Sequence, residues 1–149
     1  MDFSQTKLSF RRSFLSYSKV QFIIAALVRN RPFFLKQRAL RRKAYLDIGC
    51  GPNLHHHFIN LDYTWCPGID ICWDITKPIP LPDGVLKGVY SEHCLEHVTI
   101  ETAEAVLRES WRLLRPGGTL RIVMPDGELY LTGGSCVLLV IQVPHFSVI

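Results

Sequence analysis

Apolar and polar positions follow two regimes along this chain. From residue 44 onward, short apolar runs punctuated by glycine, proline and acids read as strands. They are Ala44-Tyr45-Leu46-Asp47-Ile48, Phe58-Ile59-Asn60-Leu61-Asp62, Gly68-Ile69-Asp70-Ile71-Cys72, Gly88-Val89-Tyr90-Ser91 and Thr119-Leu120-Arg121-Ile122-Val123-Met124. Residues 99–114 instead carry a helical period, with Ala103, Leu107, Trp111 and Leu114 on one face. Glu101 and Glu104 suit that helix's positive N-terminal end, and Arg115-Pro116-Gly117-Gly118 stops it. Strands alternating with helical or long connections predict an α/β fold, a parallel sheet of about five strands with flanking helices.

Before residue 44 the pattern is different. Residues 1–43 read mainly as helix broken at Arg31-Pro32, with Pro32 suited to the first turn of a second helix running towards Leu40. The apolar run at 22–28 is far short of the roughly 20 residues that span a bilayer. It is followed by Arg29-Asn30-Arg31 rather than a small-residue cleavage pattern, so it reads as neither a membrane span nor a signal peptide.

Charge sharpens this division. The net charge of +4 conceals a basic leader and an acidic body. Residues 1–43 hold Lys7, Arg11, Arg12, Lys19, Arg29, Arg31, Lys36, Arg38, Arg41, Arg42 and Lys43 against the single acid Asp2. Such asymmetry marks either a solvated basic leader beside an acidic body or a contact with an anionic partner. It leaves a peripheral membrane contact through the basic N-terminus open, while nucleic acid is disfavoured because no aromatic-studded binding motif accompanies the charge. At 149 residues and 48% hydrophobic, the chain has the size and apolar content of one domain with a core.

Cys50, Cys66, Cys72, Cys94 and Cys136 are scattered, odd in number and without a CxxC pair. Reduced thiols in a cytoplasmic protein account for them. His93 and His97 have helical spacing but no second pair to complete a zinc set, so no metal site is expected.

The sharpest chemical signal is Asp47-Ile48-Gly49-Cys50-Gly51-Pro52-Asn53, a strand ending in an acid that opens into a glycine loop. Glycines there let a ligand approach the backbone at the carboxyl end of the first strand. Pro52-Asn53-Leu54 lacks the Gly-Lys-Ser/Thr of a phosphate loop, and Leu54 stands where a dinucleotide fingerprint has its third glycine. Asp62 ends the second strand, where a carboxylate can accept from ribose hydroxyls; Asp74 ends the third, where a carboxylate can meet an adenine amino group. Asp70 is the rival ribose acid, lying nearer the usual spacing of about 20 residues past the loop. Counting back from Asp74 favours Asp62.

Residues 46–53, Asp74 to Asp83, Ser91-Glu92-His93-Cys94-Leu95-Glu96-His97 and residues 114–126 resemble, in order, the successive motifs of the class I (Rossmann-like) S-adenosylmethionine (SAM)-dependent methyltransferases. The compact bacterial members, often linked to surface-polysaccharide pathways, are the most similar. The resemblance covers roughly residues 44–130. It implies that Asp47, Gly49, Cys50, Gly51 and Asn53 surround the methionine part of SAM and that Asp62 holds the ribose. It further implies that Asp74 with Ile75 frames the adenine, and that Ser91 and Glu92 line the pocket floor beside the methyl group. It assigns no catalytic residue; His93 is the nearest candidate for a general base, His97 is expected to be structural, and His55-His56-His57 solvated.

The chain departs from the family's pattern in places. Ten residues separate Gly51 from Asp62, so the first crossover helix is expected to be vestigial, and Leu86-Lys87 replaces the usual Phe-Asp. At the C-terminal side the sheet is expected to be incomplete. The organisation expected is a basic helical segment at 1–43, a SAM-binding core at 44–130 and an apolar tail at 131–149. That tail either supplies an edge strand or is the non-native end of a fragment, the reading preferred. The function implied is methyl transfer from SAM to a small-molecule or glycan acceptor. The alternatives are a catalytically inactive SAM-binding or partner-binding module and an RNA-associated methyltransferase.

Overall fold

The computed structural model describes residues 19–32, 43–126 and 137–142. The second helix expected across 33–40 and the thiol of Cys136 lie outside the described residues. In chain order the elements are α1 (Lys19–Val28), β1 (Tyr45–Ile48), β2 (Phe58–Asp62), β3 (Ile71–Cys72), β4 (Leu86–Glu92), α2 (Ile100–Leu113), β5 (Leu114–Met124) and β6 (Val137–Gln142). One six-stranded sheet results, in the order β3-β2-β1-β4-β5-β6. The first five strands run parallel, and β6 joins β5 antiparallel from Thr119↔Gln142 to Met124↔Val137.

All five strands read from the sequence are present; β1 starts one residue later, β4 gains Leu86, Lys87 and Glu92, and β3 and β5 change most. β3 contains only Ile71 and Cys72, because Gly68 at φ +107° closes a turn in which the Ile69 amide donates to the Cys66 carbonyl at 3.1 Å. β5 begins at Leu114, directly after α2, and Leu86↔Leu114 adds a pairing before the Gly88↔Thr119 register. Residues 137–142 of the apolar stretch form an edge strand, the sixth.

Alternation along the strands gives the sheet two unlike faces. Leu46 and Ile48, Ile59 and Leu61, Val89, Leu120 and Ile122 point into the main core, where Val106 and Leu113 of α2 meet them. On the other face a polar row crosses four strands in register, Asn60–Asp47–Tyr90–Arg121. All four residues are buried.

α2 is capped by Thr99, whose hydroxyl accepts from the Thr102 amide at 3.4 Å. Its buried stripe is Val106, Ser110 and Leu113 rather than the face the sequence marked; Leu107 is half-buried and Trp111 is 48% exposed. Ser110 tolerates burial because its hydroxyl donates to the Val106 carbonyl at 2.8 Å, which a count of apolar residues cannot register. Arg112 on the same helix ties down the proline-rich connection. Its guanidinium donates to the carbonyls of Ile79 and Leu81 at 3.0 Å each and pairs with Glu109 and Asp83. The Ile79 amide donates to Glu109 at 2.6 Å.

No helix separates β1 from β2 or β2 from β3, as the short spacings implied. The space is filled by a small cluster in which Ala25 of α1 packs on Cys50, Cys66, Ile69 and Cys72. Among the described residues no helix is long and apolar enough to cross a membrane.

Candidate functional site

The strand order reverses between β1 and β4, and open α/β sheets take their ligands at the carboxyl ends of the strands on either side of such a switch. β1 brings Asp47 there, 2% exposed. Among the described residues its Oδ2 meets no hydrogen-bond donor. Burial, reinforced by Glu92 and Asp62, pushes its carboxyl up to about 8.

The loop after β1 turns on two glycines in the left-handed region, Gly49 at φ +73° and Gly51 at φ +55°. It leans on β2: the Gly49 and Cys50 amides donate to the Leu61 carbonyl at 2.9 and 3.2 Å. The Gly51 amide donates to Asp62 Oδ2 at 2.8 Å, and the Thr64 amide to Asp62 Oδ1 at 2.7 Å. Asp62 thus holds backbone donors on both oxygens, with the Tyr63 amide acting on the carboxylate as well. Burial raises the Asp62 carboxyl despite these backbone bonds and the nearby Arg29. The Cys50 side chain is buried in the α1 cluster, so this residue can offer a ligand its backbone rather than its thiol. Asn53 closes the loop, its amide donating to the Cys50 carbonyl at 3.1 Å.

Asp70 is committed elsewhere. It is 5% exposed, pairs with Lys43 Nζ at 2.8 Å and accepts from the Asn60 amide and side-chain amide at 3.0 and 3.2 Å. Asp74 caps a turn, its Oδ1 accepting from the Thr76 amide at 3.0 Å and hydroxyl at 2.7 Å. Burial opposes ionisation there, but the Thr76 bonds, Lys77 and Arg29 outweigh it and hold the carboxyl below its ordinary value. Ile75 is half-buried against the main core.

From β4 come Ser91, buried beside the Cys94 thiol, and half-buried Glu92, which accepts from the Tyr90 hydroxyl at 3.0 Å. Burial raises the Glu92 carboxyl, against the bond from Tyr90 and the charges of His93 and Arg121. His93 takes the left-handed conformation at φ +49°, its amide donating to the Val123 carbonyl at 3.0 Å and its ring exposed 3.3 Å from Glu96. His97 is 75% exposed rather than built into the core, because the 3₁₀ turn Leu95–His97 buries only Leu95. Of the histidine run, His56 and His57 are exposed, whereas His55 is half-buried 5.8 Å from the Phe58 ring. Among the described residues no group of three or more His, Cys, Asp or Glu is arranged to hold a metal ion.

Reading the sequence alone missed the end of α1. Asn30, at φ +59°, donates its amide to the Cys72 carbonyl at 3.2 Å and accepts from the Asp74 amide at 2.9 Å. Arg29 lies over the Tyr63 ring, 3.4 Å from its centroid, and donates from Nε to the Tyr63 carbonyl at 2.8 Å. The leader therefore reaches the residues flanking Asp62 and Asp74, a contact across more than thirty residues of chain that no local motif announces.

This is a Rossmann-like α/β sheet with acids and a glycine loop at its switch point. Residues 66–122 match the model of a methyltransferase domain family. No curated protein matches the sequence. Among solved structures, the chain is similar to a SAM-dependent methyltransferase from Archaeoglobus fulgidus, at a TM-score of 0.50 and 20% identity over 72% of this chain and 54% of that one. It is also similar to a SAM-dependent methyltransferase from Mesorhizobium loti, at 0.45 and 22% identity over 60% and 53%. A third, from Thermotoga maritima, scores 0.47 at 15% identity over 76% and 62%. The chain thus spans somewhat over half the length of these structures. The matched segment is thus similar to a methyltransferase domain, and the fold is the Rossmann-like fold of the Archaeoglobus fulgidus structure.

Proposed function

We propose that this chain binds SAM at the β1–β4 switch and transfers its methyl group to a small-molecule or glycan acceptor. The observation that carries the reading is the buried Asp47 carboxylate, whose Oδ2 meets no donor among the described residues, with Asp62 and Glu92 close enough to raise it further. Such an acidic site suits a ligand that brings positive charge and N–H donors, and SAM brings both as a sulfonium and an ammonium.

In this reading Asp47 and the backbone of Gly49, Cys50, Gly51 and Asn53 surround the methionine part. Asp62, oriented by its backbone donors, accepts from the ribose hydroxyls. Asp74 and Ile75 frame the adenine, with Asp74 held in place by Thr76 and by Asn30. Ser91 and Glu92 line the floor on the β4 side. SAM supplies an already activated methyl group, so the chain's task is to orient donor and acceptor for in-line displacement and to keep water out. His93, exposed beside Glu96, is positioned to take a proton from a hydroxyl acceptor. The thiols Cys50, Cys66, Cys72 and Cys94 fit a reducing cytoplasm.

Calorimetric titration with SAM and S-adenosylhomocysteine tests the pocket. Micromolar binding by the wild type, lost in Asp62→Ala, is expected. A folded wild type that gives no heat overturns the cofactor reading. Binding without methyl transfer across a panel of hydroxyl and amine acceptors would instead make the chain a SAM-binding module.

A further inference from the structure

The outer face of α1 has no role in the site just described. α1 has apolar side chains on two sides. Half-buried Ile24 and Val28 flank Ala25, which packs on the cysteine cluster. On the opposite side Val20, Ile23 and Leu27, at helical i, i+3 and i+7 spacing, are 62%, 61% and 61% exposed, and neighbouring Phe22 is 54% exposed. A surface helix ordinarily turns charged residues outward and one apolar stripe inward. Three large aliphatic side chains exposed on one face mark an interaction surface.

Charge identifies the partner. Lys19 is exposed at the start of α1 and Arg31 three residues past its end. Within the sequence, Arg11 and Arg12 precede it, and Lys36, Arg38, Arg41, Arg42 and Lys43 follow. An apolar face bracketed by cations is complementary to a bilayer surface: the side chains enter the headgroup and acyl boundary while Lys and Arg meet anionic headgroups. The helix has ten residues, too few to span. A nucleic acid would satisfy the cations and leave the aliphatic face in water.

We infer that the outer face of α1, Val20, Ile23 and Leu27, docks the chain peripherally on anionic membranes, with the flanking Lys and Arg residues supplying the electrostatic attraction. This inference stands apart from the cofactor reading.

Co-sedimentation of the full chain with vesicles of phosphatidylcholine alone, and of phosphatidylcholine with phosphatidylglycerol, is the test. The wild type is expected to pellet with the anionic vesicles and to be released as salt rises. Ile23→Asp with Leu27→Asp should weaken that binding by roughly tenfold or more while circular dichroism and melting stay unchanged, since both positions are exposed. Lys19→Glu with Arg31→Glu should also weaken it by roughly tenfold or more, leaving the aliphatic face intact. A wild type that stays in the supernatant overturns the inference, as does anionic-vesicle binding indifferent to both pairs of substitutions. Self-association that Ile23→Asp with Leu27→Asp abolishes would assign the face to a second copy instead. Salt-sensitive RNA binding without vesicle binding would assign the cations to nucleic acid.

Discussion

Gly49 shows how one residue constrains the candidate site. Its backbone lies at φ +73°, and a Cβ built there would stand 2.4 Å from the Cys94 sulfur. Gly49→Ala is expected to destabilise by about 1–3 kcal/mol, lowering the melting temperature, and to weaken SAM binding. Adding Cys94→Ala should recover the steric share and leave the cost of the left-handed backbone. Asp47 gives a pH signature. With the folded carboxyl at about 8 and an unfolded value near ~4, the folded state keeps a proton across that interval that the unfolded state has released. Stability therefore falls as pH climbs through the window. Asp47→Asn should flatten that slope and melt a few degrees above wild type at pH 8, with SAM binding weakened. A variant less stable than wild type at pH 8 would mean that the carboxylate is paired in the fold. Asp47 and Gly49 were legible in sequence because their signal is local. The commitment of Asp70 was not, because the Lys43 that pairs with it lies 27 residues away.

At the scale of elements, connections between strands and helices carry the largest differences from the sequence reading. The proline-rich segment between β3 and β4 reads as an irregular link, yet Arg112 holds it through the carbonyls of Ile79 and Leu81 and the carboxylate of Asp83. Arg112→Met, which keeps the stem and removes the donors, should cost about 1–3 kcal/mol by thermal or urea unfolding. The rotated face of α2 has the same origin: apolar residues border both candidate stripes, and the sheet chose the one containing Ser110. α1 is locked to β3 by Asn30. Asn30→Gly preserves the left-handed turn but deletes the acceptor for the Asp74 amide. Faster hydrogen exchange at the Asp74 amide is the expected result, together with weaker nucleoside binding if Asp74 frames the adenine.

Across the whole molecule, the sheet ends on β6. This strand pairs with β5 along Thr119–Met124, covering an edge of unbonded backbone that would template association with other chains. A chain ending at residue 126 is expected to melt lower and to aggregate during refolding, measured by light scattering. Unchanged melting and monodispersity would show that β5 needs no neighbour. The apolar stretch that becomes β6 was visible in the sequence, but its partner was not. Strand pairing depends on backbone groups that any apolar run possesses, and register is decided where the faces are buried together.

Local pattern was enough to specify the strand-by-strand alternation, the parallel α/β class, the glycine loop and the acids near the ends of the first two strands. Each is written in neighbouring residues and enforced by local sterics and period. Tertiary structure alone decided that Asn60, Asp47, Tyr90 and Arg121 form one buried row across four strands. It decided too that Asp70 is neutralised by Lys43 and that Arg29 and Asn30 of the leader reach the candidate site. These arrangements join residues far apart in the chain, and their physical cause is the common burial of polar groups, which pair only where the fold brings them together.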